Sequence, residues 1–160
     1  MGKRNKHKVE RIPTLDTPDA CHDWLDRYKP RPTVVKQWEV WYAWLGNHPY
    51  SSVQEGDRPV LIMSNDHNNR FSNTVTIIPF TTKMKRLELP SHVVIGRIDG
   101  WDKSKDSLAL MEQMTTIDKR RLMSKVGEIT DVATKKKLTR AIMAQLGIEN
   151  DREGQNITEV

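Results

Sequence analysis

The sequence predicts a mainly β domain with helices at its edges, an α+β chain built on a small barrel or a compact twisted sheet. Three observations point that way. From Val34 the apolar residues recur with a period of two, which is the signature of a strand. Short β-type runs then follow one another with only turn chemistry between them, which excludes alternating βαβ units. The last apolar stripe, from Val132 to Leu146, has helical spacing instead.

The elements are justified in order. Residues 1–33 form a basic lead, expected to be partly disordered. It carries one short helix near 18–28, where Thr17 and Pro18 make a cap and first-turn proline and Cys21, Trp24, Leu25 and Tyr28 fall on one stripe. Lys29-Pro30-Arg31-Pro32 ends it as a stiff connector. The body spans 34–148. Trp38, Val40, Tyr42 and Trp44 share one face of a first, half-buried strand over Val34–Leu45, and their tryptophans read as core. A polar loop follows from Gly46 to Asp57. Further strands are expected at Pro59–Met63, Thr74–Phe80, His92–Ile98 and Ser107–Met111. Turns separate them at Asn65–Asn69, Lys83–Pro90 and Asp99-Gly100. Thr130 or Asp131 can cap the closing helix, Val132, Leu138, Ala141, Ile142 and Leu146 give it a face, and Gly147 stands at its C-terminal cap. Lys135, Lys136 and Lys137 on it read as a solvated face. The acidic residues 149–160 read as an unstructured tail.

Composition narrows the function. One cysteine, Cys21, forms no intramolecular disulfide, which fits a reducing cytoplasm. The basic N-terminus has no apolar segment after it and no run is long enough to span a bilayer, so neither export nor a membrane partner is expected. The net charge of +5 is uneven: nine Lys/Arg face five Asp/Glu over 1–36, sixteen face twelve over 37–147, and one faces four in the tail. A moderately basic body suits a polyanionic partner, because binding releases counterions.

The chemistry is sparse. The five histidines are scattered, with no paired cysteines and no carboxylates at ligand spacing, so no metal and no cofactor is expected. No Gly-rich phosphate loop or nucleophile elbow occurs. Attention falls instead on the stretch from Gly56 to Asp66. Pro59 restricts Arg58 to extended geometry at the mouth of a strand, where a guanidinium is a bidentate partner for phosphate or carboxylate, or simply a solvated loop residue. Beside it stand Thr81 and Thr82 after Ile77-Ile78-Pro79-Phe80, Ser52 and Gln54 in the long loop, and Ser64-Asn65-Asp66. Metal-free RNA cleavage is one reaction such a set supports, since the ribose 2′-OH is the substrate's own nucleophile. The protein need only move protons and stabilise charge on phosphorus.

The blocks Gly56–Asp66, Asn69–Thr74, Ile78–Thr82, Leu89–Val93, Asp106–Gln113 and Thr116–Leu122 resemble, in order and spacing, those of the PemK/MazF toxins over about Val34–Gly147. That resemblance implies an SH3-like (CcdB-like) small barrel with a C-terminal helix. It also implies a cytoplasmic homodimeric mRNA interferase of a type II toxin-antitoxin system, bound by a cognate antitoxin and meeting DNA only through that complex. Cleavage of single-stranded RNA would be sequence-specific and leave 2′,3′-cyclic phosphate and 5′-hydroxyl ends. By position, Arg58 and Thr81 match the catalytic pair. Ser52, Gln54, Asn65, Thr82, Gln113 and Thr115 fall where RNA is bound. Thr115 stands where the family usually has arginine, and Trp38-Glu39 where it has Gly-Asp, so weaker backbone binding or a shifted cleavage preference is expected at 115. His92, Glu112 and Asp118 read as structural anchors. Two other readings stay open. One is a gyrase-binding toxin of the same fold, disfavoured because the closing helix ends Gln145-Leu146-Gly147-Ile148 without tryptophan. The other is a non-catalytic RNA- or protein-binding module.

Overall fold

The computed structural model describes residues 34–102 and 105–148. The helix expected near 18–28, the rest of the 1–33 lead and the 149–160 tail lie outside the described residues. Seven strands form one curled antiparallel sheet: β1 (Glu39–Trp44), β2 (Asp57–Ile62), β3 (Thr74–Thr81), β4 (His92–Ile95), β5 (Ser107–Leu110), β6 (Thr115–Asp118) and β7 (Leu122–Glu128). The order is β4-β5-β3-β2-β1-β7, with β6 also on β3. One edge of β3 is therefore divided: Thr74–Ile77 pair with β6, and Phe80 and Thr81 pair with β5. This division lets a single strand carry two differently directed halves of a small barrel.

Two cores result. Val40, Leu61, Ile78, Phe80 and Ile95 pack with Leu138 and Ala141 of the helix α2 (Val132–Leu146). Trp41, Ala43, Val60, Ile62, Ile77 and Ile117 fill the other side. Each fully buried aliphatic or aromatic side chain contributes about 1.5–3 kcal/mol, so the sheet is held from both faces. This corrects the expected half-buried first strand. β1 lies between β2 and β7, and its alternate residues enter opposite cores. Trp38 precedes the strand at φ 73° and lies under the Lys135 ammonium, 5.5 Å from its ring centre.

The closing helix begins where Asp131 accepts from the Thr134 N–H at 2.7 Å and ends at Gly147, whose φ of 65° suits a residue without Cβ. Only the middle of its expected apolar face is buried: Leu138 and Ala141 are buried, whereas Val132 and Leu146 are exposed. The turn expected at 65–69 is a short helix α1 (Asp66–Phe71), capped by the Asn65 side chain on the Asn68 N–H. β6 and β7 were not among the strands expected from the pattern. In β7 only Gly127 is buried, so no alternation marks it.

Candidate active groove

β2 and β3 deliver the two residues singled out by sequence. Val60 pairs with Pro79, Leu61 with Ile78 and Ile62 with Ile77. Continuing that register by two residues sets Arg58 opposite Thr81, on the face shared by Val60 and Pro79. Arg58 also stands across β1 from Ala43. It donates from Nε to the Glu55 carbonyl at 2.8 Å, which leaves both terminal nitrogens of the guanidinium for another partner. Thr81 Oγ1 accepts from the Lys83 N–H at 3.1 Å and keeps its own proton to donate. Lys83, Lys85 and Arg86 follow directly, all exposed, so positive charge surrounds this rim.

The loop 46–56 forms a flap beside the pair. Its neck is closed by Gly56 N–H to Gly46 O at 2.9 Å and Leu45 N–H to Gly56 O at 3.0 Å. Both glycines have positive φ, which lets so tight a closure form. Gln113, from the 3-10 turn Met111–Gln113, holds the flap down. Its Oε1 accepts from the Gln54 N–H at 3.2 Å and its Nε2 donates to the Ser52 carbonyl at 3.4 Å. Ser52, Gln54 and Gln113 are thus brought together, with Ser52 contributing backbone rather than its hydroxyl.

Beneath the flap is a cavity of about 190 Å³ whose walls include Leu45, Gln54, Pro79, Gln113, Thr115 and Arg121. Pro79 is among its walls, and the Arg58/Thr81 position lies two residues further along the same face of these strands. Thr115 sits opposite Ile77, at the cavity wall. Thr82 is exposed past the end of β3. Asn65 is not brought to the groove: it lies at the other end of β2, roughly 20 Å along the strand from Arg58, and its side chain caps α1.

His48 and Arg121 line the cavity and were missed by sequence reasoning. Arg121 is the last of three consecutive cations, and only the 3-10 turn Lys119–Arg121 sorts them. Lys119 Nζ donates to the Asn69 carbonyl, Arg120 lies 3.3 Å from Asp118, and Arg121 has no acidic partner among the described residues. His92 is an anchor, as expected. Its side chain is 7% exposed, with Nε2 3.0 Å from Glu112 and Nδ1 3.1 Å from the Lys85 carbonyl. It ties the Lys83–Pro90 loop to the turn that bears Gln113. Asp118 caps the next turn through the Arg120 N–H. Glu39 holds the base of β1, accepting from Lys36 N–H, Trp41 Nε1 and Lys125 Nζ. Among the described residues no three of His, Cys, Asp or Glu gather as a metal site, and no helix is long and apolar enough to cross a membrane.

The fold is a curled antiparallel sheet closed by a C-terminal helix. MazF (Form-I) from Deinococcus radiodurans shares it at a TM-score of 0.59 and 17% identity, over 72% of this chain and 98% of that one. An endoribonuclease in complex with its cognate antitoxin, from Mycobacterial species, aligns at a TM-score of 0.58 and 27% identity over 72% and 98%. Endoribonuclease EndoA of Bacillus subtilis (strain 168) is 39% identical over 99 residues, 61% of this chain and 83% of that protein. The family model of the PemK-like, MazF-like toxins of type II toxin-antitoxin systems matches residues 36–146. The chain belongs to that family.

Proposed function

We propose that this toxin is a metal-independent endoribonuclease that cuts single-stranded RNA at specific sequences by 2′-OH attack. The observation that carries it is the pairing of Val60 with Pro79 in β2 and β3, a register that, continued by two residues, sets Arg58 opposite Thr81. The 2′-oxygen bonds to the adjacent phosphorus as the bond to the 5′-oxygen breaks. The proton lost by the first ends on the second, leaving a 2′,3′-cyclic phosphate and a 5′-hydroxyl. The two terminal nitrogens of Arg58 donate to the non-bridging oxygens as charge develops on them, and the Thr81 hydroxyl donates to the same phosphate. The exposed Lys83, Lys85 and Arg86 raise the local concentration of RNA.

The named relatives support the reading: one is an endoribonuclease seen with its antitoxin and another carries endoribonuclease in its name. By the same argument the partner that silences this chain is a cognate antitoxin, and the working unit is a homodimer in the cytoplasm. The test is incubation of purified protein with mixed-sequence RNA in EDTA, with product ends mapped. Cyclic phosphate ends support the reading; cleavage only on added magnesium, or none, overturns it.

A further inference from the structure

We propose that His92 is a positioning residue for RNA, one that sets the cationic loop after Thr81 and the turn that holds the flap in fixed relation to each other. The inference rests on the reading of RNA as substrate and deepens it. Three observations carry it. The first is that the ladder does not need the ring: all of β4 pairs with β5, from His92 opposite Leu110 to Ile95 opposite Ser107. The imidazole is nevertheless only 7% exposed and turns each nitrogen to an oxygen outside that ladder. Nδ1 lies 3.1 Å from the Lys85 carbonyl and Nε2 lies 3.0 Å from the Glu112 carboxylate.

The second observation is the loop that the ring holds. Lys83, Lys85 and Arg86 are exposed there and have no acidic partner among the described residues. Arg86 lies at φ 51°, a region that a residue with a Cβ keeps only where its surroundings fix it. Two contacts do so: the Leu89 N–H donates to the Arg86 carbonyl at 3.1 Å, and the His92 ring meets the carbonyl just before Arg86. Like charges this close repel one another, so a loop released from the ring would spread its cations and lose their match to a run of phosphates. The third observation is what Glu112 adjoins. Gln113, the next residue, holds Gln54 and Ser52 of the flap. One chain of contacts therefore runs from the Lys85 carbonyl through His92, Glu112 and Gln113 to the flap, and RNA seated on the loop meets a flap already in place.

The two links can be cut separately, because the amide nitrogen of asparagine falls near the place of Nδ1 and that of glutamine near the place of Nε2. Binding of 2′-fluoro RNA, which lacks the attacking hydroxyl, is followed over a salt series, together with amide exchange at Gln54. His92→Gln keeps the Glu112 link only. It should weaken binding about three- to tenfold, the worth of one hydrogen bond, and lower the salt slope by about 0.7 for each phosphate contact given up, with exchange at Gln54 as in the wild type. His92→Asn keeps the Lys85 link only, and should speed exchange at Gln54 while the salt slope stays unchanged. His92→Ala should do both. In cleavage assays all three should raise KM and leave the rate at saturation unchanged, since Arg58 and Thr81 belong to β2 and β3. Wild-type RNA binding by His92→Ala at every salt concentration, whatever its melting temperature, overturns the proposal, and so does one shared profile for His92→Asn and His92→Gln. A wild-type protein that binds this RNA yet leaves ordinary RNA uncut would overturn the ribonuclease reading alone.

Discussion

Val60 pairs with Pro79, and the same register carried two residues on sets Arg58 opposite Thr81. Their relation is set by a ladder rather than by a loop, and removing either side chain leaves the ladder intact. Arg58→Ala and Thr81→Val should each lower RNA cleavage by about 10²- to 10³-fold, the usual loss for one donor to a developing oxyanion. Arg58→Lys should recover little, since a point charge replaces the fork. Initial rates on a defined RNA, with circular dichroism melts unchanged within a degree or two, check this.

Gln113 should behave differently. It touches the flap through Gln54 and Ser52, so Gln113→Ala removes two hydrogen bonds between partly exposed groups. Those are worth about 0.5–1.5 kcal/mol each at most. RNA binding should weaken about three- to tenfold with little change in the rate at saturation. Amide exchange at Gln54 should speed up, and unchanged exchange there would contradict the tether.

Glu39 supplies a pH dependence. Burial alone would raise its pKa, but donation from the Lys125 ammonium, the Lys36 N–H and the Trp41 indole outweighs burial and lowers it below 4.5. A carboxylate with a lowered folded pKa contributes stability fully above pH 4.5 and loses it as pH falls through the folded value. Glu39→Gln should therefore cost about 1–3 kcal/mol near neutrality. The gap to the wild type should narrow progressively below pH 4.5. Urea titrations at pH 7 and at pH 3.5 measure both.

Gly127 is confined by packing rather than by φ. A Cβ there would fall 2.6 Å from the Asp99 carbonyl and 2.7 Å from Ile98 Cγ2, at the bridge between Asp99 and Glu128. Gly127→Ala should destabilise by about 1–3 kcal/mol, as overpacked sites do. A melting temperature equal to the wild type would mean that the 98–101 turn can move aside.

The body's strands were legible where apolar residues form unbroken runs, as in Pro59–Met63 and Thr74–Phe80, and the Gly147 cap was legible from residue type alone. β6 and β7 were not. They lie mostly outside the buried class, and Thr115 or Lys125 in a strand is decided by the partner it meets rather than by its own preference. In the groove, Arg58 announced itself through the proline after it. Arg121 could not, because three adjacent cations look alike until a 3-10 turn sends Lys119 to the Asn69 carbonyl, Arg120 to Asp118 and Arg121 to the cavity wall. Asn65 was drawn to the groove by its place in a motif, whereas its short amide found nearer work capping α1.

The divided edge of β3 carries one last implication. Residues 77–79 pair with β2 while the opposite edge passes from β6 to β5, so this strand keeps three neighbours in phase at once. Losing or gaining a single residue between 74 and 80 would turn the threonine hydroxyl to the reverse side of the sheet. Length polymorphism within this strand should therefore be silent in expression trials only where toxicity has already been lost, while the flap between Gly46 and Gly56 can vary in length without that penalty.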